Sequence, residues 1–78
     1  MYTVVGIVHG SGTYEGNAYD NFKLHCLRDA KPGTEENGQI TEVLKLKSDL
    51  FLSSDICLGS IVTPYYDKYG RIVQLIVK

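Results

Sequence analysis

Six tyrosines, eight Lys or Arg residues and two histidines hold most of the chemistry this 78-residue chain can offer. Tyr14, Tyr19, Tyr65 and Tyr69 fall in or beside turn signals. Lys23, His25, Lys45, Lys47, Lys68 and Arg71 are spread over the strands and turns nearby. Rings interleaved with cations suit single-stranded nucleic acid. Each base stacks on a ring for about 1–3 kcal/mol without sequence readout, while the cations meet phosphate. "TPYYDKYGR", Thr63–Arg71, concentrates the pattern, with three tyrosines around one turn. Asp67 opens that turn and Gly70 supplies the positive φ of its exit. Tyr65 and Tyr66 are neighbours on a strand and face opposite ways, so one of them is expected to pack inward. Tyr69 is then the exposed ring between Lys68 and Arg71.

Other chemistries find less support. His9 and His25 belong to no motif with a Ser or Cys nucleophile, and the nine acids show no metal-ligand spacing. Cys26 and Cys57 match no zinc pattern and are expected to be free, buried thiols. The run "GSGTYEGNAY" is not a phosphate-binding loop, because no Gly-Lys-Ser/Thr follows. It is expected to be a hairpin loop turning at Glu15–Gly16–Asn17. No enzyme, metal or cofactor is expected.

The elements that must position these residues follow from the pattern of apolar side chains. "YTVVGIVHG" is β-branched, ends at Gly10–Ser11–Gly12, and has Gly6 as a bend or bulge. In "AYDNFKLHCLRD", Phe22, Leu24 and Cys26 alternate with Asn21, Lys23 and His25, the period of a half-buried strand. "QITEVLKLKSD" repeats this with Leu44 and Leu46 inward and Lys45 and Lys47 outward. Pairing of these two strands would place Lys23, His25, Lys45 and Lys47 on one surface. "LFLSSDICLGS" is expected to hold a short helical turn capped by Ser53, Ser54 or Asp55, or to be an irregular crossover. A final hairpin, "GSIVTPYY" and "RIVQLIVK", closes the chain, with Pro64 marking an edge or bulge. Five short strands with one crossover predict an all-β fold: a five-stranded Greek-key barrel of the oligonucleotide-binding type, with an SH3-like barrel as the main rival, one domain over residues 1–78.

Two stretches carry a family resemblance. "YEGNAYDNFKLHCLRD", through Gly16, Asn17 and Tyr19, resembles the loop and second strand of the gene V type single-stranded DNA-binding proteins of filamentous phages. "YYDKYGRIVQLIVK" is similar to that family's last hairpin. Ala18 stands where proline is usual and Glu15 where a base is usual, and the first loop has no cation. The resemblance implies an oligonucleotide-binding barrel that acts as a homodimer and coats single strands cooperatively. Tyr19 would then be a stacking residue and Lys23 a backbone contact.

The leading expectation is therefore a sequence-independent binder of single-stranded DNA or RNA, of phage, plasmid or mobile-element type. The net charge of −1 works against it, since phosphate attraction needs clustered Lys and Arg. A protein-interaction barrel is the alternative. Val73, Leu75 and Val77 would face its core, leaving Ile72 and Ile76 outward as a dimer surface. No apolar run is long enough to span a membrane and the first ten residues lack a basic start, so a cytoplasmic location is expected.

Overall fold

The computed structural model describes all 78 residues. In chain order the elements are β1 (Tyr2–Tyr14), β2 (Asn17–Asp29), β3 (Gln39–Lys47), α1 (Ser48–Ser53), β4 (Ile61–Tyr66) and β5 (Ile72–Val77). The five strands form one antiparallel sheet in the order β3-β2-β1-β4-β5.

The all-β class holds, but the barrel does not. A barrel needs a hydrogen-bonded ladder between its first and last strands. Here β3 and β5 are the two ends of the order, and no ladder joins them. The sheet is open. Its weak joint lies in the middle, where β4 meets β1 only through Tyr2↔Val62 and Thr3↔Ile61. Beyond Val62, β4 pairs with β5 alone, and Pro64 lies in that stretch. The long β1–β2 hairpin and the short β4–β5 hairpin therefore share one corner rather than a closed wall.

The hairpins themselves follow local chemistry. β1 does not stop at Gly10–Ser11–Gly12. Those residues stay in the ladder opposite Asn21, Asp20 and Tyr19, and the chain reverses only at Glu15–Gly16. Both turn residues have positive φ, 51° and 79°, which suits the right-handed twist of a two-residue hairpin. The bulge expected at Gly6 is present: the register steps between Val4 and Gly6, and Val5 is the unpaired residue. In the second hairpin, the Asp67 carboxylate accepts the backbone N–H groups of Tyr69 at 2.8 Å and Arg71 at 2.9 Å. Gly70 takes φ 79°, as expected.

The core consists of Val4, Leu24, Cys26, Leu44, Leu46, Val62 and Leu75, with Tyr2, Ile7, Leu50, Phe51, Ile56, Ile72 and Val77 packed on it. The alternation in β2 and β3 is as expected. In β5 it breaks. Tyr65 pairs with Gln74 and Tyr66 with Ile72, so Val73 is an extra, bulged residue. Ile72 thereby joins Leu75 and Val77 on the inner side, while Val73 is exposed. Three further expectations need correction. Cys57 is exposed, and only Cys26 is buried. Neither Tyr65 nor Tyr66 packs inward; each is half exposed. Helix α1 has Lys47 at its N-cap with no side-chain cap. The Ser53 and Ser54 hydroxyls instead donate back to the Leu50 carbonyl at the other end.

Candidate functional site

Register fixes which side chains share the outer face of β1–β3. Lys23 lies between Val8 and Lys45, Asn21 between Gly10 and Lys47, and His25 between Gly6 and Val43. The four groups expected together, Lys23, His25, Lys45 and Lys47, do lie on one face. Lys23 and Lys45 are directly opposite, an arrangement that like charges disfavour. No carboxylate lies within ion-pair distance of Lys23, Lys45 or Lys47.

Glycines give this face a low floor on β1. A side chain at position 12 would lie 3.0 Å from the Tyr19 hydroxyl, so the Tyr19 ring would have to give way slightly to accommodate one. Tyr14 stands at the hairpin end. With Val8, Gly10, Asn21, Lys23 and Lys45, these two rings border a hollow of 540 Å³.

Tyr65, Lys68 and Tyr69 belong to the other hairpin and do not line that hollow. Lys68 Nζ lies 5.1 Å and Arg71 Cζ 5.2 Å from the Tyr69 ring centroid. Tyr69 is thus the exposed ring between two cations, as its position suggested. Arg71 Nε also pairs with Asp67 Oδ2 at 3.1 Å. The Arg71 and Tyr69 backbone N–H groups, with that guanidinium, hold the Asp67 carboxyl below its usual range. Arg71 meets the first group of residues at one place. It lines a 750 Å³ cleft together with Tyr19, Lys45, Lys47 and Tyr66, between residues 18–21 of the β1–β2 hairpin and the turn of β4–β5.

A second polar cluster escaped the sequence reading. Arg28 binds Glu36 with two parallel hydrogen bonds, Nη1 to Oε1 at 2.9 Å and Nη2 to Oε2 at 2.8 Å. The Lys31 backbone N–H donates to the same carboxylate at 3.0 Å. The Arg28 guanidinium and then this amide pull the Glu36 carboxyl down to about 2. Arg28 Nε is buried without an acceptor, and Glu42 Oε1 at 3.4 Å supplies its charge partner. Hydrogen bonding to Glu42, then burial, pushes the Tyr2 phenol up to about 12, and the same contact lowers Glu42. The only legible signal was Glu36 and Glu42 following Arg28 in an otherwise turn-like stretch. The cluster pins the loop between β2 and β3 to the sheet. A second unforeseen feature is a stack of rings: His9 on Phe22 at 4.5 Å, and Phe22 on Phe51 at 3.8 Å between centroids. His9 Nε2 is 2.5 Å from Asp20 Oδ1.

No group of three or more His, Cys, Asp or Glu side chains is arranged to hold a metal ion. No helix is long and apolar enough to cross a membrane. No family model, curated protein or solved structure matches the chain.

The open sheet overturns the expected function along with the fold. Single-strand binding by an oligonucleotide-binding barrel needs the curved wall that closure produces, and the chain lacks it. The gene V resemblance fails on the same point. With it go the single-stranded DNA or RNA partner and the phage or mobile-element role. The interaction alternative likewise loses its barrel. What remains is an open sheet with two exposed hairpins.

Proposed function

We propose that the chain is a non-catalytic, cytoplasmic protein-interaction module that works as a homodimer through the outer face of β4 and β5. The observation that carries this reading is the exposed apolar patch on the outer face of β4–β5. A compact monomer of 8.7 kDa exposes about 4,700 Å², whereas this chain exposes 5653 Å². The excess, roughly 900 Å², is spread over an elongated molecule, the projecting β1–β2 hairpin included.

The outer face of β4–β5 suits burial in an interface. Ile61, Thr63, Tyr65, Val73, Gln74 and Ile76 include no charge, and Lys78, opposite Ile61, borders them at one end. Ile61, Tyr65, Val73 and Ile76 are 39, 51, 57 and 43% exposed. β5 also ends the sheet, so its outer edge has no neighbouring strand. Interface cores are depleted in charge and enriched in Tyr. Free Cys26 and Cys57 suit a reducing compartment.

Sedimentation equilibrium in high salt tests the proposal, because an apolar contact survives screening. The wild type should approach twice its chain mass as concentration rises. Ile76→Lys should stay at one chain mass with an unchanged far-UV spectrum. A wild type that stays at one chain mass throughout would rule out the homodimer.

A further inference from the structure

Residues Ser11–Asp20 form a second exposed feature. All ten are solvent-exposed, on both faces of the ribbon. A two-stranded ribbon without a core is marginally stable alone. The molecule measures 45 × 25 × 22 Å, with a radius of gyration of 13.8 Å against about 11.5 Å for a compact chain of this length. The ribbon carries Glu15 at its turn and Asp20 near its base, and no Lys or Arg. Tyr14, at its end, is 71% exposed.

The 750 Å³ cleft has the complementary character. Lys45, Lys47 and Arg71 line it against Asp20 and Asp49, and Tyr66 and Ile72 give it an apolar side. Asp20 is held by His9, and Arg71 is shared with Asp67. The charges left without a partner are therefore chiefly Lys45 and Lys47, opposed by Asp49.

We infer that the β1–β2 hairpin end of one copy docks into this cleft on a second copy. Tyr14 fills the apolar side, and Glu15 meets Lys45 and Lys47. Tyr14 and Glu15 at the hairpin end do not line the cleft, although Tyr19 and Asp20 of the same ribbon do, so each copy keeps one hairpin end and one cleft free after the first contact. Such head-to-tail joining continues into rings or open chains. The contact shares no residue with the outer face of β4–β5, so it stands or falls independently of the homodimer.

The test is sedimentation velocity on the full chain in low salt, in the Ile76→Lys background that removes the apolar contact. Species larger than one chain should grow with concentration and vanish on adding salt. Glu15→Lys or Lys47→Glu alone should weaken assembly by about tenfold or more, and the two together should recover most of it. Far-UV spectra establish that each variant is folded. Absence of larger species in low salt would overturn the inference. So would assembly that neither reversal weakens, or a double reversal that behaves like the single ones. None of these results bears on the high-salt dimer.

Discussion

Arg28 and Glu36 face each other as a fork on a fork, with both guanidinium Nη atoms hydrogen-bonded to the two carboxylate oxygens at 2.9 and 2.8 Å. Eight residues separate them, and the pair closes the loop between β2 and β3. Paired geometry of this kind is stronger and more specific than a single contact.

This pair should make the fold acid-labile. The Glu36 carboxyl lies at about 2 in the folded chain against an ordinary 4.5. The folded state therefore holds the charged form more tightly than the unfolded state does. Its contribution is complete above pH 4.5 and is lost as pH falls toward 2. Glu36→Gln should lower the melting temperature at neutral pH and flatten its decline over that window. Thermal melts of both proteins across the acid range check this.

Tyr2 shifts the other way. Its phenol titrates at about 12 rather than 10 because of Glu42 and burial. The folded state keeps the proton, so this contribution is complete below pH 10 and is lost as pH rises toward 12. Tyrosinate absorbance should include a late phase near pH 12 that Tyr2→Phe removes. An unchanged late phase would mean that another of the six tyrosines is the perturbed one.

Substitutions on adjacent residues of β2 should differ sharply. Leu24 is fully buried at the centre of the core. Leu24→Ala should cost about 2–5 kcal/mol, through lost burial and a residual cavity. Lys23→Ala, on the outer face and freed from opposing Lys45, should fall within about 0.5 kcal/mol of wild type or stabilise the chain. Urea denaturation measures both.

Gly70 tests backbone strain apart from crowding. Its φ is 79°, and nothing lies within 4 Å of where a side chain would begin. Gly70→Ala should cost about 1–2 kcal/mol from the left-handed conformation alone. Gly70→Asn should cost less, because Asn tolerates that region. Equal losses from both would point to a contact rather than to φ.

The ring stack ties α1 to the sheet. Phe51 has its centroid 3.8 Å from that of Phe22, and α1 has only six residues and no side-chain N-cap. Such a helix depends on packing, not on intrinsic propensity. Phe51→Ala should cost about 2 kcal/mol or more. It should also raise hydrogen exchange at residues 48–53 more than in β2.

How much of this was legible depends on the range of the interaction. Phe22, Leu24 and Cys26 alternate with Asn21, Lys23 and His25, so the face of β2 could be assigned residue by residue. Asp67 and Gly70 announced their turn through local backbone chemistry. Closure of the sheet is a different matter. It depends on whether β3 and β5 pair, and five short strands with a glycine bend suit an open or a closed arrangement equally well. Tyr65 and Tyr66 were misassigned because the rule that strand neighbours face opposite ways says nothing about whether either side is covered. Arg28 and Glu36 meet only after the loop has folded back, which no local period records. The cationic face was found through alternation, but the fold showed that the wall meant to support its use is missing.

Val5 and Val73 are one residue each, yet each resets a count. On β1 the inward positions are even before the bulge, at Tyr2 and Val4, and odd after it, at Ile7 and His9. On β5 they run from Ile72 to Leu75 and Val77 by the same kind of step. Each bulge thus works like a frameshift corrected within the strand. Deleting Val5 removes no buried contact, yet it would leave the two halves of β1 out of phase. Either Tyr2 and Val4 or Ile7 and His9 would then point to solvent. Val5 and Val73, both exposed, matter by their presence rather than their identity, and that presence keeps both hairpins facing the same core.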